Sequence, residues 1–348
     1  MSDSSLNGGT TSLVDEMLRE YGTITRAALR DYLPSHEPRR YLYDILADYP
    51  TRGGKMMRPS LCIAMARAFG APLEDAIKTA VAIELLHNAL LIHDDIEDES
   101  EERRGRPTLH LLHGVPLALN AGDSLSAMSL RPLLDNCGRV GTQVSLRILQ
   151  ETERMSRESA EGQAMELGWR RENVLDLDDS DYLRMVLKKT CWLGTIYPSR
   201  VGTLIGTRLE INLEPMTRFG FFLGAAFQIQ DDLLNLVADE AYGKERDGDL
   251  WEGKRTLMLI HLLRESKPKE RRRVAEILAA DRQHRTLEDV SWMRNLMDVY
   301  GSLEYTRQIA LAMSGAALYE LKQFAVRLRD SRDKRFLEQM AVWVIDRR

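Results

Sequence analysis

The chain has 348 residues, of which 44% are hydrophobic and 29% are charged, so it can bury a sizeable core and is not a wholly disordered polypeptide. Its formal net charge of −5 excludes a general nucleic-acid-binding protein, which would carry a surplus of basic residues. Its three cysteines, Cys62, Cys137 and Cys191, stand far apart without metal-ligand spacing, which indicates reduced thiols in a cytoplasmic protein.

The first twelve residues, MSDSSLNGGTTS, are small and polar, and they predict a disordered tail over 1–12. This stretch has neither the basic start nor the apolar run of a secretory signal. No run of eighteen apolar residues follows it, so neither an ordinary transmembrane helix nor stable membrane insertion is predicted.

Residues 13–348 show helical periodicity in nearly every segment. Apolar residues recur three or four positions apart in the windows 76–98, 183–208, 218–237, 255–264 and 303–328. The middle windows are apolar almost all round, which predicts helices buried inside a bundle. The chain has no alternating strand pattern, hairpin turn or βαβ rhythm, and its glycine and proline breaks are too short to be linkers. We therefore expect one all-α domain.

The first acidic motif is the stretch HDDIED at 93–98. Asp94 and Asp98 are four residues apart, so they share one face of a helix that enters the core through the apolar run before it. Two carboxylates in this position repel each other unless a cation is present. Mg²⁺ together with the phosphate oxygens of a substrate would suit them. For a single motif of this kind, a solvated acidic helix end is the commoner explanation.

A second acidic motif lies in the apolar stretch FFLGAAFQIQDDLLNLV at 221–237. Asp231 and Asp232 stand in the middle of a helix that belongs in the core, where charged groups need a partner. A surface location does not explain them, because apolar residues flank the pair on both sides. The two motifs together indicate carboxylates that bind Mg²⁺ from opposite walls of one cavity and hold a diphosphate between them.

Basic residues are distributed to complement these acids. They are Lys55 and Arg58 in GGKMMRP, Arg103 and Arg104 after the first motif, Lys188 and Lys189 before an apolar stretch, and Lys244 and Lys254 in YGKERDGDLWEGKRT. Each one alone is more typical of a solvated surface charge, but together they offer guanidinium and ammonium groups to phosphate oxygens. The GGK sequence is not a P-loop, because Met56 stands where Ser or Thr would bind the metal.

His87 lies about 20° from Asp94 around the helix and shares its acidic face. It is a candidate phosphate contact, although a lone histidine is more often a satisfied core residue. No HExxH spacing accompanies it, so no zinc site is predicted. The acid-rich stretch DLDDSDYLRM at 176–185 lacks the glycine and glutamate of a calcium loop, and it predicts a helix N-cap at Asp179 or Ser180.

These residues resemble the trans-isoprenyl diphosphate synthase (polyprenyl synthetase) family. Seven segments occur in the order that the family shows, spanning about 50–260: GGKMMRP, ELLHNALLIHDDIED, RRGRPTLH, LNAGD, LKKT, FQIQDD and GDLWEGKRT. The resemblance implies a single bundle of long, mostly antiparallel helices around a deep apolar cavity, and usually a homodimer. The geranylgeranyl diphosphate synthases are the members that this chain resembles most.

The resemblance also implies roles for the matching residues. The metal ligands would be Asp94, Asp98 and Asp231, with Asp95 and Asp232 supporting the metal shell. The allylic diphosphate would be surrounded by Arg103, Lys189, Thr190, Gln228, Lys244 and Lys254. Isopentenyl diphosphate would be held by Lys55, Arg58, His87 and Arg104. Catalysis would depend most on Arg103, Lys189, Lys254, Asp95 and Asp232. In this arrangement the acids and arginines of residues 93–106 need not pair with each other.

The implied reaction is the Mg²⁺-dependent condensation of isopentenyl diphosphate with dimethylallyl, geranyl or farnesyl diphosphate. Metal ions and cations would stabilise the departing diphosphate, so that the allylic C–O bond ionises. The double bond of isopentenyl diphosphate would attack the resulting cation where water is excluded, and a proton would pass to the released diphosphate. No side-chain nucleophile is needed.

Four positions bear on how closely the chain follows the family. Asn235 stands where the second motif often has a third aspartate, so one metal would be held more weakly or through water. Met56 stands where many members have a basic residue. Leu90 and Ala89 occupy positions where bulky aromatic residues stop chain growth in short-chain members. These two residues predict geranylgeranyl diphosphate as the product, with longer polyprenyl diphosphates next.

Two other functions remain open at this point. A terpene or squalene-type synthase would also ionise an allylic diphosphate, but it would not need an isopentenyl diphosphate site such as Lys55, Arg58 and His87. A non-catalytic partner subunit of a synthase would be expected to have lost aspartates, whereas both motifs here keep their leading pairs.

Overall fold

The computed structural model describes residues 12–208, 211–237 and 247–346, and within these ranges the chain is helical almost throughout. The single β-ladder in the described ranges pairs Glu102–Arg103 (β1) with Arg106–Pro107 (β2) in antiparallel register. The predicted all-α class is therefore confirmed. Of the tail predicted over 1–12, only Ser12 lies within the described residues. Its hydroxyl accepts a hydrogen bond from the Asp15 amide at 3.1 Å and caps the first helix.

The helices of the N-terminal half include two long ones, α5 and α10. In chain order they are α1 (Leu13–Arg30), α2 (Asp44–Leu46), α3 (Asp48–Thr51), α4 (Met57–Ala68), α5 (Leu73–Glu97), α6 (Leu109–His113), α7 (Val115–Met128), α8 (Leu130–Asp135), α9 (Cys137–Val140) and α10 (Thr142–Arg171). A π-helical turn at Arg39–Tyr43 precedes α2. The ladder of β1 and β2 lies between α5 and α6.

The C-terminal half contains a second π-helical stretch, Leu187–Ile196, which we call the π-helical segment. The α-helices around it are α11 (Asp179–Val186), α12 (Tyr197–Thr207), α13 (Glu214–Val237), α14 (Gly248–Glu252), α15 (Leu257–Glu265), α16 (Pro268–Ala279), α17 (Leu287–Val299), α18 (Ser302–Ala325) and α19 (Arg332–Asp346). A 3₁₀ turn at Arg282–His284 joins α16 to α17.

The long helices surround one interior. α13 packs along α18 and the π-helical segment, α12 packs on α4, and α5 packs on α4 and α7. α10 packs on the π-helical segment and on α12. α5 carries its aspartate pair in its last turn, and α13 carries its pair in the turn before its last. Packing the two helices around one interior therefore brings both acidic motifs to the same cavity.

The interior is apolar because the central helices are buried on nearly all sides. Every residue from 59 to 66 in α4 is buried, and so is every residue from 191 to 205 across the π-helical segment and α12. Removing this apolar surface from water is the main favourable contribution to folding. The prediction that the window 183–208 forms buried helix is confirmed, except that part of it is π-helical.

Helix α5 is long and apolar enough to cross a membrane by length and composition. However, 72% of its most apolar window is buried inside the protein, where α5 packs on α4 and α7. Core helices of globular bundles meet the same criteria, so this helix is weak evidence for a membrane span.

The N-cap predicted at Asp179 or Ser180 is wrong by one or two residues. The cap of α11 is Asp178, whose Oδ1 accepts hydrogen bonds from the amides of Ser180 at 2.8 Å and Asp181 at 3.0 Å. The Asp181 carboxylate accepts from the Asp178 amide in return, which completes a capping box. Three neighbouring residues are all competent caps, so the sequence pattern alone does not select among them.

Gly162 of α10 lies directly against the backbone of Lys189, and a methyl group there would collide with it. We expect Gly162→Ala to destabilise the protein by about 1–3 kcal/mol, because overpacking forces the two helices apart. Gly168→Ala on the same helix is the control, since nothing lies within 4 Å of a methyl group at that position. Scanning calorimetry should show a lower melting temperature for the first variant only. Equal melting temperatures would contradict the close packing described here.

Candidate active site

One cavity connects the two acidic motifs. Its volume is about 810 Å³, and it lies among α5, α7, α10, α13 and the π-helical segment. The predicted site residues that line it are Arg58, His87, Asp94, Arg103, Lys189, Thr190, Gln228, Asp231, Asp232 and Lys254. The apolar residues that line it include Leu86, Leu90, Leu130, Leu193 and Phe227. The cavity thus combines an ionic wall with an apolar one, as the sequence predicts.

Asp94 is surrounded by basic side chains. Its Oδ1 lies 3.2 Å from the Nζ of Lys189, and its Oδ2 lies 3.6 Å from Nη2 of Arg103. Burial alone would raise the pKa of Asp94, but Lys189, Lys254 and Arg103 outweigh burial and hold the pKa below its usual value. Asp94 is therefore a carboxylate at neutral pH, and it faces the cavity in ionised form.

Asp98 lies behind the cavity wall and is 1% exposed. Helix α5 ends at the preceding residue, and the Asp98 amide donates to the Asp94 carbonyl at 2.8 Å. Its Oδ2 lies 2.9 Å from Nζ of Lys254, and its Oδ1 contacts Arg170. Burial raises the pKa of Asp98, but the charge of Lys254 more than offsets this and lowers it. A lysine that lines the cavity thus holds this second acid of the motif.

Asp95 is also 1% exposed and is enclosed by two donors. Nε of Arg103 donates to its Oδ1 at 2.9 Å, and the hydroxyl of Tyr49 donates to its Oδ2 at 2.5 Å. Burial raises the pKa of Asp95, and Arg103 offsets this only in part. The acids and arginines of residues 93–106 do pair with each other, since Arg103 contacts both Asp94 and Asp95. Buried charges require this pairing whenever no phosphate lies between them.

The second motif concentrates negative charge on the opposite wall. Asp231 lines the cavity, and Asp232 accepts hydrogen bonds from the Tyr182 hydroxyl and from Nε2 of Gln228, both at 2.7 Å. The pKa of Asp232 is raised to about 8, first by burial and then by the charge of Asp249. Burial beside a second carboxylate therefore favours the protonated form of Asp232 in the free chain.

Asn235 acts as a support in this structure. Its Oδ1 accepts a hydrogen bond from the Asp249 amide at 3.0 Å, and its carbonyl accepts from the Asp247 amide at 3.1 Å. These bonds hold the start of α14 against α13. They also place Asp249 so that its side chain lines the cavity. A carboxylate therefore reaches the second wall from α14, although the second motif itself lacks a third aspartate.

The π-helical segment presents Lys189 and Thr190 to the cavity. Lys189 reaches the first wall, where its Nζ contacts Asp94. Thr190 reaches the second wall, where its Oγ1 donates to Oε1 of Gln228 at 3.0 Å. Lys188, the preceding residue, instead pairs with two glutamates and does not line the cavity. π-Helical turns inside α-helices are frequent at functional sites, and here the turn directs adjacent residues to different surroundings.

Arg58 and His87 line a separate part of the cavity wall. Nδ1 of His87 lies 3.5 Å from Oε2 of Glu84, whose carboxylate also accepts from Nδ2 of Asn88 at 3.0 Å. The pKa of His87 is lowered to about 4, first by burial and then by the charge of Arg58, with Glu84 offsetting part of the shift. The imidazole is therefore neutral at pH 7.

Two predicted substrate-binding residues, Lys55 and Arg104, do not line this cavity. Nζ of Lys55 lies 5.6 Å above the ring of Trp343 in α19, in a groove between α1 and α19. Nη1 of Arg104 donates to the carbonyl of Tyr49 at 3.3 Å. Lys244 lies outside the described residues.

Several residues of this site were not predicted from the sequence. They are Gln163 and Glu166 of α10, Tyr182 of α11, and Asp249 of α14, which line the cavity, and Arg170, which holds Asp98. Asp249 lies inside the GDLWEGKRT segment, so its position beside a glycine in that segment was an available signal. The residues of α10 gave no such signal, because polar residues on a long helix usually face solvent.

The donor set fits a divalent metal ion. Carboxylates reach the cavity from both walls, and hard divalent cations prefer oxygen ligands of this kind. On the second wall Asp231, Asp232 and Asp249 line the cavity together, and a divalent cation would offset the repulsion among their carboxylates. Among the described residues, no three His, Cys, Asp or Glu side chains form a ready-made metal site. A metal bound here would therefore take most of its ligands from water and phosphate, as Mg²⁺ does in phosphate-binding sites.

The sequence that forms this site matches a known protein family. Residues 39–297 match the polyprenyl synthetase family. The chain belongs to the polyprenyl synthetase family. The matched stretch contains both acidic motifs and all the predicted site residues, so the resemblance inferred from seven short segments is confirmed. Polyprenyl synthetases are prenyltransferases, and this chain is one of them.

Relatives of this polyprenyl synthetase differ in the product that their names state. A short chain isoprenyl diphosphate synthase of Methanothermobacter thermautotrophicus is 32% identical over 96% of this chain and 98% of its own length. A geranylgeranyl diphosphate synthase of Methanosarcina mazei is 32% identical over 97% and 98%. An octaprenyl diphosphate synthase of Escherichia coli is also 32% identical, over 78% and 80%. Overall identity therefore does not decide the product length.

Solved structures show the same fold. Geranylgeranyl pyrophosphate synthetase from Pyrococcus horikoshii superposes with a TM-score of 0.84 at 32% identity, covering 96% of this chain and 98% of that one. Polyprenyl synthase from Caulobacter crescentus, crystallised with calcium and isoprenyl diphosphate, superposes with a TM-score of 0.84 at 28% identity over the same shares. This fold therefore accommodates a divalent metal and an isoprenyl diphosphate in the second of these proteins.

The lowered pKa of His87 predicts a specific dependence of stability on pH. The unfolded histidine takes up a proton below pH 6.5, whereas the folded one does so only near pH 4, so stability falls as pH decreases from about 6.5 towards 4. Between pH 7 and pH 5 this amounts to about 1–2 kcal/mol. We expect the free energy of unfolding of the His87→Gln variant, measured in urea, to fall less over this pH range than that of the unmodified chain, by about 1–2 kcal/mol. An identical loss in both proteins would show that His87 is not the buried neutral group described here.

Proposed function

We propose that this prenyltransferase condenses isopentenyl diphosphate with an allylic diphosphate, with Mg²⁺ as cofactor, and releases geranylgeranyl diphosphate. One observation carries the proposal. Two carboxylate clusters line a cavity that is also lined by Lys189, Lys254 and Arg103 and by apolar side chains. Family membership and relatives named as geranylgeranyl diphosphate synthases support the same conclusion.

The allylic diphosphate would bind between the two carboxylate clusters. Lys189 and Lys254, which hold Asp94 and Asp98 in the free chain, would donate to phosphate oxygens instead, together with Arg103. Asp94, Asp98 and Asp231 would hold the metal, with Asp95 and Asp232 behind them. When bound, Mg²⁺ would supply positive charge that stabilises the departing diphosphate. Thr190 and Gln228 would orient the same diphosphate, and Lys244 would be a further contact.

Isopentenyl diphosphate would bind beside this site. Arg58 and His87 line the cavity there, and Arg104 lies on the adjacent loop. His87 is neutral and can donate one hydrogen bond to a phosphate oxygen. Lys55 would reach the diphosphate only after leaving the ring of Trp343.

The apolar wall would supply the remaining chemistry. Leu86, Leu193 and Phe227 line the cavity and exclude water from the allylic cation that forms when the C–O bond breaks. The double bond of isopentenyl diphosphate then forms the new C–C bond at C1 of that cation. The proton lost from C2 of isopentenyl diphosphate passes to the released diphosphate, so charges and atoms balance. The nucleophile is the substrate itself, and the side chains only bind, orient and shield.

We propose that product length depends on the apolar wall of the cavity at Leu90. Leu90 lines the cavity, whereas Ala89 is fully buried and packs with Val81 and Ile92 on the far side of α5. A leucine at position 90 leaves room where an aromatic ring would stop the growing chain. We therefore propose geranylgeranyl diphosphate as the product, and we attribute the open floor to Leu90 alone.

Incubation of the purified chain with labelled isopentenyl diphosphate, Mg²⁺ and dimethylallyl, geranyl or farnesyl diphosphate tests this proposal. We expect release of diphosphate only when both substrates are present, with geranylgeranyl diphosphate as the main product and complete loss of turnover in EDTA. Leu90→Phe should shorten the product to farnesyl diphosphate, because the larger ring closes the floor. Leu311→Phe, a 47% exposed position on α18, is the control and should not change the product.

The outcomes separate the alternatives. Diphosphate release from an allylic substrate alone would favour a terpene-type synthase. No turnover with any primer would favour a non-catalytic partner subunit. A farnesyl product from the unmodified chain would contradict the role assigned to Leu90.

We also propose that the chain is a homodimer and is cytoplasmic. Large apolar side chains are exposed on α6, α7, α8 and the start of α10; we call them the leucine band, and they are Leu111, Leu112, Val115, Leu117, Leu119, Leu130, Leu134 and Leu146. Exposed apolar surface is typical of protein interfaces, and homodimer interfaces are especially apolar. Residues 111–119 contain no Asp, Glu, Lys or Arg. The three free cysteines are in keeping with a reducing compartment.

Charges in the leucine band should disrupt the dimer. We expect Leu119→Glu combined with Leu146→Glu to halve the molecular mass measured by light scattering after size-exclusion chromatography, because buried unpaired carboxylates are unfavourable. Leu287→Glu, on α17 and 71% exposed, is the matched control and should leave the mass unchanged. A monomeric unmodified chain, or a double variant that stays dimeric, would exclude this interface.

A further inference from the structure

Two buried residues outside the cavity contact the loop that carries Arg103 and Arg104. They are Tyr49, which is 1% exposed, and Arg52, whose side chain is also 1% exposed. Both lie at the end of α3, more than forty residues before that loop. Neither one lines the cavity, and the reaction proposed above gives neither a role.

Arg52 binds the backbone of the loop at three points. Its Nη1 donates to the carbonyls of Arg103 at 3.0 Å and Arg106 at 3.2 Å, and its Nη2 donates to the carbonyl of Pro107 at 2.8 Å. Its Nε contacts the carboxylate of Asp48, one turn earlier. A planar guanidinium can satisfy several acceptors in a fixed arrangement, which the ammonium group of a lysine cannot do.

Tyr49 contacts Arg104 directly and Arg103 through Asp95. Its hydroxyl donates to Asp95, which in turn accepts from Nε of Arg103 at 2.9 Å. Its backbone carbonyl accepts from Nη1 of Arg104 at 3.3 Å. The guanidinium of Arg52 lies 4.6 Å from the centre of its ring, within the range of a cation–π interaction. Tyr49 and Arg52 therefore contact each other as well as the loop.

The loop needs support from outside itself. Its β1–β2 ladder has only two residues on each strand, which is too short to be stable alone. Arg104 has φ of +55° and is followed by Gly105 at +70°, so a non-glycine residue occupies the left-handed region. Such a conformation persists only where surrounding contacts impose it.

We propose that Tyr49 and Arg52 are positioning residues, which we call the brace, and that the brace sets the distance between the two diphosphate-binding arginines. This inference rests on the proposed function, in which Arg103 and Arg104 serve different diphosphates. Arg52 holds the backbone of the whole loop, so it acts on both sites. The Tyr49 hydroxyl acts through Asp95 on Arg103 and therefore on the allylic site.

Steady-state kinetics of three variants test the brace. We expect Arg52→Ala to raise KM for both substrates by about tenfold, because the loop loses three backbone contacts and small displacements of binding groups are costly. Tyr49→Phe should raise KM for the allylic diphosphate about fivefold, leaving KM for isopentenyl diphosphate unchanged. Arg52→Lys should fall between Arg52→Ala and the unmodified chain, because an ammonium group cannot reach all three carbonyls.

Arg106→Ala is the matched control. Arg106 belongs to the same loop and pairs with Asp48 at 2.9 Å, but its side chain is 53% exposed and contacts neither arginine assigned to a diphosphate. We expect both KM values to be unchanged in this variant. A rise equal to that of Arg52→Ala would mean that any lost Asp48 contact disturbs the loop, and it would overturn the assignment to Arg52.

Calorimetric titration with inorganic pyrophosphate, in the absence of metal, gives a readout that does not depend on turnover. We expect about tenfold weaker binding in Arg52→Ala and unchanged binding in Arg106→Ala. Lower melting temperatures with unchanged KM values and pyrophosphate affinity would show that Tyr49 and Arg52 only stabilise the fold. An unmodified chain that binds pyrophosphate but makes no prenyl product would overturn the proposed reaction and leave the brace supported by its binding data.

Discussion

Buried carboxylates need cationic partners, and this requirement arranges the centre of the molecule. Asp95 and Asp98 are 1% exposed at the end of an otherwise apolar helix. An isolated charge in such a place would be strongly destabilising, because each buried ion loses hydration free energy on the order of several kcal/mol. Arg103, from the loop that directly follows α5, pairs with Asp95, and Lys254, from a segment far along the chain, pairs with Asp98. Arg103 lies in β1 and Lys254 lies between α14 and α15, so short connecting segments, and not only the long helices, bring these cations to the cavity.

In the proposed reaction, the same pairing would allow the site to respond to substrate. In the free chain Lys189 and Lys254 neutralise carboxylates, and these are the cations that the proposed reaction needs for phosphate. When both ligands bind, a divalent ion would replace the lysines as the partner of the carboxylates. The diphosphate would in turn replace the carboxylates as the partner of the lysines. No charge would be left buried without a partner at either stage. The brace fits this scheme, because it keeps Arg103 and Arg104 in place while their partners change.

Much of the site could be predicted from the sequence because charge and apolarity conflict there. Asp94 and Asp231 stand beside long apolar runs, and only a bound cation or a cationic partner resolves that conflict. Asp249 was not predicted, since it lies on a short helix whose position depends on hydrogen bonds that the Asp247 and Asp249 amides donate to oxygens of Asn235. Glu166 was not predicted either, because its contact with Lys189 joins segments that are far apart in the chain.

By itself the sequence determined the helical class, the two acidic motifs and the family, since each depends on periodicity or on residues close together in the chain. Only the tertiary structure decided that Leu90 rather than Ala89 faces the cavity, and that Lys55 lies against Trp343. It also decided that Arg103 pairs with Asp94 and Asp95. The physical reason is that the direction of a side chain and the partner of a buried charge depend on which helices pack together, and periodicity along one helix does not contain that information.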